Sequence, residues 1–387
     1  MLAREHTSTG RVTRMQALEG TLKDFHAIIP AGGVGSRLWP LSRAETPKFL
    51  HDLTGSGHTL LGDTWNRVLP LAGAAGIMVV TGRAHRSAVE TQLPDLLESN
   101  IVLESEPKDS SAAIGLAAAI LHRRHPDVIV GSFAADHVIT DSERFRHTVA
   151  EAVAVAREGY ITTIGIAPTE PSVGFGYIAR GEPLAIEGAP HAHLVERFVE
   201  KPDLATATAY VESGDYLWNA GMFIARADRL LGQLAETEPL LHEGLLEIAA
   251  AWDTSSRTHV VDAVWPLLPK IAIDYSVAEP AAAAGKLAVV RGDFAWDDVG
   301  DFSSLAKLLS GNRPGELAIL GEGARVLADS ASGVVVSQSS RLISLIGVHD
   351  IVVVDTPDAL LVTTREHAQR VKKVVDAIKQ AGRDDLL

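Results

Sequence analysis

Phe25-His26-Ala27-Ile28-Ile29-Pro30-Ala31-Gly32-Gly33-Val34-Gly35-Ser36-Arg37-Leu38-Trp39-Pro40 carries an apolar run straight into a loop with three glycines, and Arg43 and Lys48 follow soon after Arg37. The run has the length and composition of a buried strand in a parallel sheet. Glycines just past such a strand let the backbone come close to a ligand and aim its N–H groups at an anion. The cations that follow supply the full charge that amides lack. Together these parts describe a place to hold a polyphosphate. Two familiar phosphate loops are excluded by spacing. Gly35 is followed by Ser36-Arg37-Leu38 where a Walker A loop requires Gly-Lys-Ser/Thr, and Leu38 stands where the dinucleotide fingerprint requires its third glycine. A glycine cluster alone is as well explained by a tight turn.

Outward from this loop, apolar runs alternate with helical stretches. Helices are expected at Thr59–Leu71, Arg83–Leu93, the alanine-rich Ser110–Arg124 and Leu230–Ala251. Strands are expected at Gly76–Thr81, Ile101–Glu104, Asp127–Phe133, Tyr160–Ala167 and Val195–Val199. The alternation predicts an α/β fold with an open, Rossmann-like, mixed but mostly parallel sheet covered by helices on both faces. Ligands bind such a sheet beyond the carboxyl ends of its strands, where the glycine loop and Asp136 both fall, so one cleft serves both. Gly311-Asn312-Arg313-Pro314-Gly315 has the composition of a linker. Short apolar runs beyond it (Gly333–Val336, Leu342–Ile346, Ile351–Val354, Leu360–Thr363) predict a small β module, closed by a helix from about Glu366 to Gln380. The expected organisation is a loosely ordered extension over 1–22, a large α/β unit over 23–310 and the β module over 316–387.

The chain has 387 residues, 46% of them hydrophobic and 22% charged, enough to bury a sizeable core. It contains no cysteine, which excludes disulfides and thiolate metal sites and fits a reducing compartment. Its formal charge of −14 argues against general nucleic-acid or anionic-membrane binding. No apolar run is long enough to span a bilayer, and the polar start from Met1 to Leu22 lacks the apolar segment of a secretory signal, so a cytoplasmic protein is expected.

Gly32 to Leu41, followed by Pro47-Lys48-Phe49-Leu50, resembles the signature of the sugar-phosphate nucleotidyltransferases, and Arg37-Leu38-Trp39-Pro40-Leu41-Ser42-Arg43 resembles their mannose-1-phosphate guanylyltransferase branch. The resemblance implies the nucleotide-diphospho-sugar transferase fold. It also implies that Ala31, Gly32, Gly33, Gly35, Ser36, Arg37 and Lys48 hold the nucleotide. Ala134-Ala135-Asp136-His137 is similar to the family's Ala-Asp-His motif, whose Asp holds a divalent cation; Ala134 replaces a proline common there, and His137 is expected to pack rather than ligate. Glu106-Pro107-Lys108-Asp109-Ser110-Ser111 stands where the family has Glu-Pro-x-x-Arg-Asn-Thr near the base, in altered wording; Asp109 and Ser110 are its candidates, with helix capping as their plainer role.

The same resemblance extends over most of the chain. Pro171 to Ile178 resembles the segment that closes over the sugar, with Phe175 in place of a tyrosine, and implies sugar roles for Glu170, Gly176 and Tyr177. Glu200-Lys201-Pro202 resembles the motif whose lysine binds the sugar phosphate, although a charged pair before a proline is commonly the end of an edge strand. Trp218-Asn219-Ala220-Gly221-Met222-Phe223 and Ile273-Asp274-Tyr275 resemble segments that place Asn219 and Asp274 on the sugar. Trp296-Asp297-Asp298-Val299-Gly300 resembles the motif that would make Asp298 the second metal ligand, with Asp297 replacing a serine. The C-terminal module is expected to be left-handed β-helix-like and to serve a homodimer, with no room for the isomerase domain of bifunctional members.

The activity implied is transfer of GMP from GTP to mannose 1-phosphate, giving GDP-mannose and pyrophosphate, with Arg37, Lys48 and Lys201 as catalytic cations and Mg²⁺ on Asp136 and Asp298. One alternative is another hexose 1-phosphate and nucleoside triphosphate. Another is a non-catalytic sugar-nucleotide sensor, against which the retention of these charged residues argues. A Rossmann dehydrogenase is opposed by the missing third glycine and by Thr81-Gly82-Arg83, which offers no acidic residue for a ribose.

Overall fold

A computed structural model of the chain describes residues 21–310, 313 and 315–387. Most of the expected N-terminal extension, and residues 311, 312 and 314 of the expected linker, lie outside the described residues. The central sheet is built from β1 (Phe25–Ala31), β2 (Ile77–Gly82), β3 (Ile101–Glu104), β4 (Ile129–Ser132), β6 (Ile161–Ile166), β7 (Tyr177–Pro183), β8 (Ala192–Val199), β9 (Tyr216–Arg226) and β10 (Leu287–Gly292). The short β5 (Val138–Ile139) pairs separately with β11 (Trp296–Asp297). The sheet order is β3-β2-β1-β4-β9-β6-β10-β8-β7. Every strand runs the same way except β8 and β9, which pair antiparallel with their neighbours.

Both faces are covered, and the alternation along each strand shows it. In β1, Ile28 packs with Met78, Val80 and Val102 under the helices Asp109–Arg124, Ala227–Thr237 and Pro239–Ala251. Ala27, Ile29 and Ala31 face the other way, onto Leu61, Trp65 and Val68 of the helix Leu60–Ala72 and onto Phe145, Val149 and Val153 of Ser142–Arg157. Burial on both faces is why these strands read as continuous apolar runs.

One departure from the sequence reading has a physical cause, and two points the sequence left open are answered. Leu230–Ala251 is two helices, Ala227–Thr237 and Pro239–Ala251, because Pro239 starts a helix well but cannot continue one. Glu200 and Lys201 follow a strand lying inside the sheet, between β10 and β7, and not an edge. Asn219 and Gly221 belong to the eleven-residue β9.

Beyond the helix Phe302–Ser310, strands β12 (Leu317–Leu320), β14 (Gly333–Ser337) and β16 (Ile351–Asp355) stack in parallel, with β17 (Leu360–Thr364) antiparallel at the end. A second parallel pair, β13 (Arg325–Asp329) and β15 (Leu342–Ile346), completes the β-helix-like coils. Val335, Val353 and Leu345 fill the space between the two stacks. Val334, Val336, Val352 and Val354 face outward onto Phe302 and Leu305, and the same cluster takes in Leu38, Trp39 and Leu41 beside the glycine loop. The module thus packs directly against the loop's supports. Among the described residues no helix is long and apolar enough to cross a membrane.

Candidate active site

The glycine loop leaves β1 at Ala31 and turns twice through left-handed backbone, at Gly33 (φ 82°) and Gly35 (φ 72°). Gly35 has no alternative: a Cβ there would lie 2.8 Å from the Lys48 Cβ, in addition to the backbone strain. Gly33 faces open space, so its bare backbone is free to approach a ligand. The loop is held from below, since the Ser42 hydroxyl donates to the Val34 carbonyl and the Lys48 N–H donates to the same oxygen at 3.3 Å.

Lys48 is buried and organises one side of the cleft. Its ammonium pairs with Asp136 at 2.7 Å and also donates to the Asp298 carbonyl. Burial pushes the Asp136 carboxyl up, but the charges of Lys48 and His137 outweigh it and hold the group below the usual carboxylate range. Asp298 directs its carboxylate toward Gly300, and one Arg37 nitrogen faces the same glycine. Asp297 accepts the Val299 N–H at 2.7 Å, closing a turn in which Val299 is forced to φ 45°. A β-branched residue in that region is strained, and such strain gathers at functional sites. His137 is packed: its Nδ1 accepts from the Trp296 indole at 3.2 Å, and Arg67 donates to its carbonyl at 3.3 Å.

The Asp136 carboxylate beside Lys48 and the Asp298 carboxylate beside Gly300 supply the hard oxygen donors a divalent cation takes. Among the described residues no three His, Cys, Asp or Glu side chains converge on one point. A cation here would therefore rest on the two carboxylates and on a substrate's phosphates, the arrangement Mg²⁺ favours.

Beside the carboxyl end of β6, where it pairs with Gly165, Asn219 is fixed from both ends. Its Oδ1 accepts from Thr163 at 2.8 Å, and its Nδ2 donates to Asp274 at 2.9 Å. Burial and then the Glu200 charge push Asp274 up to about 6. Glu200 pairs with Lys201, whose backbone is left-handed at φ 47°, while its other oxygen is buried with no partner among the described residues. Burial lowers the Lys201 ammonium, but Glu200 more than restores it. Gly176 lets this corner close, since a Cβ would lie 2.5 Å from the unpartnered Glu200 oxygen. Phe175 bridges the two sides, edge-on to Trp218 at 5.1 Å and to Trp296 at 5.0 Å.

Several expected residues lie elsewhere or are already engaged. Glu170 is engaged by Lys307 at 3.4 Å. Tyr177 is fully buried and donates to the Ser172 carbonyl at 3.0 Å, bracing the loop over the cleft. The Ser110 hydroxyl accepts the Ile273 N–H at 2.9 Å, and Asp109 accepts the Ser110 N–H at 2.8 Å. Arg37 donates to Gln369 at 3.1 Å, and Arg43 leaves the site for Asp358, making bonds of 2.7 and 2.8 Å. Thr163, Arg67 and Gln369 had no motif to announce them; each acts through a partner far away in sequence.

Residues 26–312 match the nucleotidyl transferase family model, and residues 323–378 match a mannose phosphate isomerase/GMP-like β-helix domain. Mannose-1-phosphate guanylyltransferase of Escherichia coli K12 is 39% identical over 366 residues, covering 93% of this chain and 75% of that protein. The xanthan biosynthesis protein XanB of Xanthomonas campestris is 39% identical over 370 residues, covering 94% of this chain and 75% of its own length. A crystal structure from Thermus thermophilus, described as a mannose-1-phosphate geranyltransferase, superposes with a TM-score of 0.81 at 31% identity, covering 92% of this chain and 99% of that one.

Proposed function

The chain belongs to the nucleotidyl transferase family, and from that premise we propose that it transfers GMP from GTP to α-D-mannose 1-phosphate, releasing pyrophosphate and forming GDP-mannose. The observation that supports this reading is a pair of lysines each held by a carboxylate: Lys48, beside the glycine loop, with Asp136, and Lys201 with Glu200. In the reaction, a phosphate oxygen of the sugar phosphate forms a bond to the α-phosphorus of GTP. The bond from that phosphorus to the α–β bridging oxygen breaks, and pyrophosphate leaves with the electron pair. The attacking oxygen is already an anion at neutral pH, so no side chain has to remove a proton. The barrier is electrostatic, and positioning with charge stabilisation lowers it.

The amides of Gly32, Gly33 and Gly35, with Ala31, Ser36, Arg37 and Lys48, hold the triphosphate and its departing end; Asp109 and Ser110 shape the floor beside it. Lys201 holds the incoming phosphate, and Asn219, Asp274 and the unpartnered Glu200 oxygen take sugar hydroxyls. Gly176 and Tyr177 shape the covering loop, and Glu170 is placed at its outer side. Asp136 and Asp298 would hold Mg²⁺, which when bound screens the two polyanions from each other and polarises the α-phosphate. We take the catalytic unit as 23–310 and the setting as the cytoplasm. A homodimer is supported by the outward apolar face of the β module, where Leu327, Leu342 and Ile346 stand exposed on β13 and β15.

Radiolabel placement tests the chemistry. With mannose 1-phosphate present, an α-phosphorus label is expected in GDP-mannose and a γ-phosphorus label in pyrophosphate. Label released as inorganic phosphate, or released without the sugar phosphate, would refute guanylyl transfer.

A further inference from the structure

Gln369 lies in the short turn Arg365–Arg370 of the β module, exposed at the surface, and no motif pointed to it. An exposed glutamine is ordinarily left to water. Here both ends of its amide are engaged by residues far away in the chain. The oxygen accepts from Arg37 at 3.1 Å, and the NH2 group donates to Asp301. Asp301 is itself fixed: it is 5% exposed, and its other carboxylate oxygen accepts the Ser303 and Ser304 N–H groups at 2.7 and 3.0 Å, at the start of the helix Phe302–Ser310. A carboxylate accepts and cannot donate, so the glutamine must turn its NH2 group to Asp301 and its oxygen to Arg37. Asp301 thereby sets the amide, and the amide sets the guanidinium. Asp301 also stands three residues after Asp298, beyond the strained Val299, so one side chain ties the loop cation to the turn that carries Asp298.

The neutrality of this acceptor matters. Lys48 and Lys201 are each paired with a carboxylate, which competes with phosphate for the cation. An amide oxygen instead orients the guanidinium through one N–H and leaves its charge and its remaining donors for a ligand. A planar guanidinium presented in this way takes two phosphate oxygens at once. An arginine left unheld would have to give up the freedom of its long side chain on binding, and holding it beforehand removes that cost. We propose that Gln369 is a positioning residue for the transfer, aiming Arg37 at the departing pyrophosphate without neutralising it. The proposal rests on the nucleotidyl-transfer reading and makes the β module part of the active site.

The test is a double-mutant cycle on Arg37→Ala and Gln369→Met, read in calorimetric binding of pyrophosphate with Mg²⁺ and in kcat/KM for GTP. Methionine keeps the length of the side chain and removes both hydrogen bonds. Position 369 is exposed, so the variant is expected to fold, and thermal melting checks that. With Arg37 present, Gln369→Met is expected to weaken pyrophosphate binding and to lower kcat/KM for GTP, each about 5- to 10-fold. KM for mannose 1-phosphate is expected to stay the same. With Arg37→Ala in place, the same substitution is expected to change neither quantity by more than about 2-fold, because nothing is left to aim. Losses of equal size with and without Arg37, or a parallel rise in KM for mannose 1-phosphate, overturn the proposal, since a merely structural role produces them. Gln369→Glu keeps an acceptor for Arg37 but sets a second carboxylate against Asp301 and the cation. It is expected to be no better than Gln369→Met, and wild-type behaviour would overturn the proposal too. Absence of nucleotidyl transfer in the wild type, with the coupling still seen in pyrophosphate binding, would refute the proposed reaction while leaving Gln369 as the residue that aims Arg37.

Discussion

At the scale of single residues, the cleft is a set of carboxylates restrained by few cations, and its behaviour follows from which carboxylate has a partner. Asp136 has Lys48. Asp136→Asn keeps a polar group beside the buried lysine, so the fold is expected to survive with a stability loss of about 3 kcal/mol. Turnover is expected to fall at least ~100-fold because the carboxylate proposed to hold the metal is gone. Thermal melting together with kcat checks both halves; retention of most activity would remove Asp136 from the metal site. Asp274 is the opposite case. Its carboxyl is raised to about 6 from an ordinary 3.8 by burial and by Glu200, with Lys201 opposing and Asp109 adding to the rise. Within that window the native state keeps a proton that the unfolded chain releases, so stability falls as pH rises from about 4 to 6 and stays lower above. Asp274→Asn retains an oxygen for Asn219. It is therefore expected to gain in melting temperature relative to the wild type between pH 4.5 and pH 8, and a difference independent of pH would contradict the assignment. Lys48, Asp136, Lys201 and Asp298 could be singled out as candidates because each sits inside a continuous motif, and the pairing of Lys48 with Asp136 is what the folded chain adds. The bond from Thr163 that fixes Asn219 was not legible, because it joins residues 56 apart in the chain that no motif links.

At the scale of elements, the parallel strands were legible because burial on both faces writes them as unbroken apolar runs. Strand β9 was hidden by its own chemistry. Asn219, with Gly221 at φ 67°, interrupts the apolar pattern, and the register against β6 shifts between Thr163 and Gly165 at the same place. The irregularity is what turns Asn219 toward Asp274. The five-residue π-turn Asp274–Ala278 is comparable, since such turns appear mostly where a side chain must be re-aimed. Strands β12 and β13 were missed because their residues are half-exposed and lack a clean alternation. The glycine loop gives the sharpest prediction at this scale. Gly35→Ala adds a Cβ 2.8 Å from the Lys48 Cβ in backbone of φ 72°. It is expected to lower kcat/KM at least tenfold while stability drops by about 1–2 kcal/mol. Unchanged kinetics would mean that Lys48 is not positioned through this loop.

At the scale of the whole molecule, the β module works as a brace for the glycine loop. Arg43 pairs with Asp358, Arg37 with Gln369, and Gln369 in turn donates to Asp301. Val334, Val336, Val352 and Val354 share one apolar cluster with Leu38, Trp39 and Phe302. That shared cluster predicts a single cooperative melting transition, with Val352→Ala lowering it by about 2 kcal/mol as a unit; two separate transitions would show the module to be independent. The outward face of β13 and β15 predicts a dimer by light scattering that Ile346→Asp converts to a monomer, because Ile346 is 75% exposed on that face. The module's existence was legible from its apolar runs, but its role as a brace was not, since Arg43 and Asp358 are far apart in the chain. The central claim concerns what the braced cleft does. The measurement that tests it most directly is pyrophosphate release with Mg²⁺, crossing four nucleoside triphosphates against mannose 1-phosphate and glucose 1-phosphate. Release is expected with GTP and mannose 1-phosphate above every other pair; release led by another pair, or none from folded protein, would contradict the account.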